Sequence, residues 1–288
     1  LFALQEASFS NNKLNGNMNN KFNSPVLQGI DISTNQITGN LPIEIFDTTN
    51  LEYFYATQNC FSGSISSQIC LANNLNNLQI AGLSSNSNCN NVIKSLFNPK
   101  IHLTTNIYGD LPSCLFSMLN LKILYASGNG LNGKLYNIPI NSSLTQISLS
   151  YNQLSGTIPP SIQQSTLIQS LDLSYNRLSG TIENMYNYGN RFAVVNSTDD
   201  DYYSKSSFTT YLNLTLISNR LSGDIPSSFT DSVSLQPNIL NGNIFACKSY
   251  PSNLPVNDPN SKNYSCGSNE LNYLLYIFIG ITVYFIFM

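Results

Sequence analysis

Charge is scarce in this sequence. Lys, Arg, Asp and Glu together make up 9% of its 288 residues and balance to a net charge of -3, which excludes the basic surface that nucleic acid requires. The apolar fraction, 42%, is too high for a chain that stays unfolded for want of a core. Tryptophan is absent and His102 is the single histidine. A lone imidazole with no nucleophile or carboxylate spaced to join it argues against acid–base catalysis, so no enzyme and no cofactor are expected. Neither C-x-x-C nor paired histidines occur, which disfavours a zinc site. The first residue is Leu1, and no basic flank followed by an apolar stretch opens the chain, so the expectation is that its natural N-terminus lies upstream.

Asparagine, in contrast, is abundant, at 43 residues, and its spacing is regular. Aligned on "SLSYNQLSGTIP", the series runs Asn12, Asn35, Asn59, Asn86, Asn106, Asn129, Asn152, Asn176, Asn219 and Asn238, with most steps 23 or 24 residues. Around each stands L-x-x-L-x-L-x-x-N-x-L-x-G-x-I/L, as in "LTQISLSYNQLSGTIP" from Leu144 and "LQGIDISTNQITGNLP" from Leu27. The L-x-L alternation predicts a short strand with one buried face per period. The asparagine follows where the chain turns, and its amide can both donate to and accept from buried backbone. The glycine four residues later permits a backbone that a Cβ disfavours. One coil cannot offset the entropy of ordering about 24 residues with five or six aliphatic side chains. Coils must stack, and the expected architecture is a solenoid with a quasi-one-dimensional core.

The "LSGxIP" half, at Leu154–Pro159 and Leu221–Pro226, resembles the plant-type leucine-rich repeat. That resemblance implies an α/β-type solenoid of about ten repeats, a superhelix with a parallel β-sheet on its concave face and a second short sheet from the "SGxIP" half. It implies further a likeness to the ectodomain of a receptor-like protein or receptor kinase, although no kinase motif occurs in these residues. The expected division is a repeat solenoid over 1–245, a C-terminal cap over 246–270 and a hydrophobic membrane anchor over 271–288.

Several features depart from the repeat. The step of 43 from Asn176 to Asn219 carries extra residues within 183–210, which resemble the island of plant receptor-like proteins or form a solvated loop; Asp199, Asp200 and Asp201 there read as a solvated acidic tip. Cys247 and Cys266 flank the segment after the last repeat and are expected to pair, while Cys60, Cys70, Cys89 and Cys114 allow three pairings among themselves. Asn141, Asn196, Asn213 and Asn263 head glycosylation triplets. The uncharged tail from Leu271 to Met288 is long enough to anchor and marginal to span. A transmembrane helix is preferred over a lipid anchor or a buried helix, placing the repeats outside the cell on a single-pass protein.

Function must sit on positions that the repeat leaves free. Four residues before each asparagine the expected concave column reads Ser8, Asp31, Tyr55, Gly82, His102, Tyr125, Ser148, Asp172, Thr215 and Ser234. Aromatics gather in its middle, and Tyr53, Tyr151 and Tyr175 stand nearby. Amphipathic aromatics make contact anchors, so Tyr53, Tyr55, His102, Tyr125, Tyr151, Asp172 and Tyr175 are the candidate ligand-binding residues. The expected function is recognition of an extracellular protein, peptide or glycan, with signalling through a co-receptor. The alternative is a secreted or matrix inhibitor or adhesion protein similar to leucine-rich-repeat inhibitors of polygalacturonases.

Overall fold

The computed structural model describes residues 4–18, 24–87, 89, 107–185, 212–230, 235–246 and 254–266. Nine short strands form one parallel sheet. They are β1 (Glu6–Ser8), β3 (Gly29–Asp31), β5 (Tyr53–Tyr55), β7 (Asn77–Gln79), β8 (Ile123–Tyr125), β9 (Gln146–Ser148), β11 (Ser170–Asp172), β13 (Leu212–Thr215) and β15 (Leu235–Asn238), in that spatial order. The interleaved strands β2 (Asn15–Asn17), β4 (Gln36–Gly39) and β6 (Cys60–Phe61) build a second sheet, and β10 (Ser155–Gly156), β12 (Arg177–Gly180), β14 (Arg220–Asp224) and β16 (Ile244–Ala246) a third. Single bridges Gly63–Ile107, Asp110–Asn132 and Lys134–Ser155 link these two series along the same flank. On the far side, single turns of helix such as Ile43–Asp47, Ser67–Leu71, Ser113–Ser117 and Pro160–Gln163 close the coils.

Alternation in the strands carries the core inward. Ile30, Phe54, Leu78, Leu124, Ile147, Leu171 and Leu214 occupy equivalent central positions and are all buried. Facing them from the helical turns are Ile45, Phe46, Ile69, Leu115, Phe116 and Ile162, with the Phe46 ring edge-on to Phe54 at 5.0 Å.

The recurrent asparagine joins neighbouring coils. The Asn152 amide donates to the carbonyls of Ala126, Leu149 and Ser150 at 3.0–3.2 Å, while its Oδ1 accepts from the N–H groups of Asn129 and Leu131 at 3.2 and 3.0 Å. Asn35, Asn59, Asn129, Asn176 and Asn219 repeat the arrangement. A hydroxyl, with one proton, could not replace this set.

Two expected positions fall elsewhere. Strand β7 pairs directly with β8, Asn77 opposite Ile123, so no strand bearing His102 stands between them. The steps of 27 and 20 residues mimic two coils but belong to one coil with an insertion, of which residues 88 and 90–106 lie outside the described residues. In that coil Leu83 takes the ladder position: its N–H donates to Asn129 Oδ1 at 2.8 Å and its carbonyl accepts from the Phe61 N–H at 2.8 Å. Asn86 instead donates to the Asn35 carbonyl from outside the ladder, and Asn106 lies outside the described residues. The sheet therefore has nine strands among the described residues where about ten repeats were expected. At the far end Asn243, not Asn238, completes the ladder, donating to Leu216 and Ile239 carbonyls and accepting from the Leu221 N–H. It stands 24 residues after Asn219, which restores the period.

The four central cysteines pair as Cys60–Cys89 and Cys70–Cys114. The first ties the entry to the insertion against β6, and the second joins the helical turns Ser67–Leu71 and Ser113–Ser117. Cys266 is disulfide-bonded, while Cys247 lies outside the described residues. Residues 254–266 cover the last coil. There the buried Asp258 accepts from the N–H groups of Ile239 and Leu240 at 2.7 and 3.1 Å, and Tyr264 Oη accepts from the Phe245 N–H at 2.8 Å and donates to the Asn243 carbonyl at 3.1 Å.

Candidate functional site

The strand registers define two columns of side chains on the open face of the nine-stranded sheet. One reads Glu6, Gly29, Tyr53, Asn77, Ile123, Gln146, Ser170, Asn213 and Gln236; the other reads Ser8, Asp31, Tyr55, Gln79, Tyr125, Ser148, Asp172, Thr215 and Asn238. Gln79 therefore takes the place expected for Gly82, which lies in the turn after β7, and Asn238 that expected for Ser234, which is outside the described residues. Neither column contains Lys or Arg, while Glu6, Asp31 and Asp172 supply carboxylates.

Tyr53, Tyr55 and Tyr125 lie on the same face of the sheet, with β7 between the first two and the third. The Tyr53 ring lies flat against Gly29, where a Cβ would fall 1.9 Å from Cε1; glycine is needed there for close approach. The Tyr53 and Tyr55 rings are 5.0 Å apart at 33°. Tyr55 Oη accepts from Asn77 Nδ2 at 2.9 Å, and Asn77 Oδ1 accepts from Gln79 Nε2 at 3.2 Å. Tyr125 Oη donates to Gln146 Oε1. Gln79 escapes the sequence pattern because the asparagine of the β7 coil is misplaced there, and Asn77 and Gln146 because they stand in the other column, six residues before the ladder position rather than four.

Burial, with the charges of Glu6 and Asp31 and the neighbouring Tyr55, raises the Tyr53 pKa above the ordinary 10.0. Burial and Asp31 do the same for Tyr55, against the Asn77 bond, which lowers it. Both phenols stay neutral at physiological pH and can donate as well as accept hydrogen bonds.

Tyr151 and Tyr175 lie off the strands, at the turn just before Asn152 and Asn176. Their rings stack at 4.2 Å and 12°, on backbones with φ of 53° and 52°. Tyr151 is 60% exposed, and its hydrogen bond with Tyr175 raises its pKa. Asp172 Oδ1 accepts from the Ser174 N–H and Oγ at 3.0 and 2.6 Å. Ser127 Oγ lies 2.8 Å from Ser148 Oγ and accepts from Ser150 Oγ at 3.1 Å. His102, Asn196 and Asp199–Asp201 lie outside the described residues. No group of three or more His, Cys, Asp or Glu side chains that could hold a metal occurs among the described residues.

The Leucine Rich Repeat family model matches residues 143–165 and 167–186. The fold is a leucine-rich-repeat solenoid. The crystal structure of the leucine-rich-repeat ectodomain of the plant membrane receptor kinase GASSHO1/SCHENGEN3 from Arabidopsis thaliana, in complex with Casparian strip integrity factor 2, is similar over 85% of this chain and 25% of that one, at 23% identity and a TM-score of 0.60. The plant peptide hormone receptor RGFR1 in complex with RGF2 is similar over 85% of this chain and 37% of that one, at 25% identity and a TM-score of 0.60. The Arabidopsis receptor kinase HAESA, in complex with the peptide hormone IDA and the co-receptor SERK1, covers 86% of this chain and 39% of its own, at 26% identity and a TM-score of 0.57. The solenoid thus spans between a quarter and two-fifths of the length of these structures. No curated protein matches its sequence.

Proposed function

We propose that this solenoid is an extracellular recognition protein that binds a peptide on the coils of β5, β7, β8 and β9, and that residues 271–288 anchor it in the membrane. The carrying observation is the set of side chains on those coils. Tyr53, Tyr55 and Tyr125 present flat amphipathic rings, Asn77, Gln79 and Gln146 present amides, and most of these polar groups are held in place by bonds to one another. Such a surface can pair with the N–H and C=O groups of an extended peptide and stack against its side chains. The carboxylates Glu6 and Asp31 beside it, with no cation in either column, favour a peptide with a basic group. The similarity to RGFR1 and HAESA, both solved with peptide hormones, supports a peptide over a glycan.

A receptor-like protein of this kind, without enzymatic activity of its own, signals through a co-receptor. Among the described residues no helix is long and apolar enough to cross a membrane, and the proposed anchor lies outside them. Topology is testable by fusing a protease-sensitive tag after Met288 and comparing cleavage in intact and permeabilised cells; cleavage only after permeabilisation is the expected result.

Cells displaying the full chain, panned against a random peptide library, should enrich basic, aromatic-containing sequences. With Tyr53, Tyr55 and Tyr125 all replaced by Ala, folding is retained and affinity falls at least about tenfold, since losing anchors of this type costs upwards of about 1.4 kcal/mol. Equal binding by the triple variant would move the ligand off these coils.

A further inference from the structure

The open face changes character along the solenoid. Its tyrosines lie on β5 and β8, whereas β11, β13 and β15 present Ser170, Asn213, Gln236, Asp172, Thr215 and Asn238. Within that second region lies the triplet Asn213-Leu214-Thr215, wholly inside a strand. Leu212 and Leu214 are buried, while Asn213 is exposed and Thr215 half-buried. Alternation therefore puts the acceptor amide and its hydroxyl partner together on the open face.

We propose that Asn213 carries an N-linked glycan that fills the C-terminal part of the open face and confines ligand to the tyrosine-bearing coils. This rests on the extracellular reading above. Three observations favour the site. The neighbours of Asn213 across the sheet are Ser170 and Gln236, neither a bulky ring. The Asn213 side chain takes no part in the bonds that occupy the other asparagines: those of the ladder are buried in their coils, and Asn77 is bonded to Tyr55. Finally, Asn213, Thr215, Gln236, Asn238, Asn257 and Pro259 line a hollow of about 670 Å³, whose amides and hydroxyl match the acetamido and hydroxyl groups of a first N-acetylglucosamine.

The modification joins Asn213 Nδ2 to the anomeric carbon of an oligosaccharide carried on a lipid pyrophosphate. The bond from that carbon to the pyrophosphate oxygen breaks, the pyrophosphate leaves with the electron pair, and the amide gives up one proton. Asn141 and Asn263 are also exposed, but neither belongs to a strand of the open face. Asn213 is thus the sequon among the described residues whose glycan decides which coils a ligand reaches.

The full chain, produced in a eukaryotic secretory host, is treated with peptide-N-glycosidase in heavy-oxygen water and its peptides are read by mass spectrometry. Conversion of Asn213 to labelled Asp is expected. In hydroxyl-radical footprinting, oxidation of Pro259 should rise at least about twofold in Asn213→Gln and Thr215→Ala, and equally after enzymatic deglycosylation of the folded wild type, while Tyr55 and Tyr125 remain unchanged. Asn213 left unmodified while Asn141 or Asn263 is occupied overturns the proposal and leaves the extracellular reading intact. No occupancy at any sequon overturns both. An occupied Asn213 with unchanged Pro259 oxidation overturns the placement of the glycan in the hollow.

Discussion

A single side chain, the ladder asparagine, carries much of the cohesion between coils. Asn152 satisfies three carbonyls and two N–H groups from two coils, all shielded from water. In Asn152→Ala the carbonyls keep other donors, the Asn129 amide, the Asn176 amide and the Gly128 N–H, but the buried N–H groups of Asn129 and Leu131 lose their acceptor. The expected loss is at least about 2 kcal/mol, since each buried group left unsatisfied costs about 1–3 kcal/mol, and urea denaturation measures it. The residue just before the asparagine has the opposite character. Asn11, Thr34, Gln58, Tyr151, Tyr175 and Ser218 all have φ between 52° and 57°, a region costly for side chains with a Cβ and most so for a β-branched one. Thr34→Asn keeps a polar side chain in a conformation that asparagine tolerates. It should raise stability by about 0.5–1 kcal/mol, visible as a higher Tm.

At the scale of elements, the coil of β7 and the segment over the last coil differ most from the repeat. Disulfides stand at both roots of the insertion, Cys60–Cys89 at its entry and Cys70–Cys114 after its return. The second closes a loop over a sequence separation of 44, for which chain entropy gives about 4 kcal/mol. Replacing Cys70 and Cys114 together by Ser should cost up to about that much in denaturation and open the region near Ile107 to limited proteolysis. At the C-terminal end, Asp258 accepts from the N–H groups of Ile239 and Leu240, and Tyr264 Oη takes the N–H of Phe245, two residues after Asn243, that the asparagine of a further coil would take. Burial raises the Tyr264 pKa above 10.0. A folded-state pKa above the unfolded one gives stability that is full below pH 10 and lost as pH rises through the folded value. The segment over the last coil should therefore loosen at alkaline pH, and Tyr264→Phe should remove Tyr264's share of the pH dependence while weakening the segment at neutral pH. Circular dichroism against pH, together with hydrogen exchange near Phe245, checks both.

For the whole molecule, the order of strands decides which residues form one surface. With β7 against β8, Tyr55, Gln79 and Tyr125 become consecutive in one column. The carboxylates Glu6 and Asp31 lie at the N-terminal end of the same face. A basic peptide held there should bind more weakly as salt rises, because exposed charges are screened within about 8 Å at physiological ionic strength. A titration from low to high salt with a panned peptide measures the slope, and Glu6→Gln with Asp31→Asn should flatten it.

The repeat pattern alone determined the solenoid, its parallel sheet, the inward leucines and the work of the asparagine, because each coil repeats the same local constraints and buries its open faces on neighbours of its own kind. Tyr53, Tyr55 and Tyr125 could be read from it as free positions. The coil count between Asn59 and Asn129 could not, since an insertion close to one period leaves the spacing numerically intact, and a buried leucine with its backbone N–H and carbonyl can stand where an asparagine is expected. Which cysteines pair, which amides bind the tyrosines, and that Asp258 and Tyr264 close the last coil follow from hydrogen bonding and proximity between segments distant in sequence. Those contacts exist only once the strands are stacked, so the tertiary structure alone decided them.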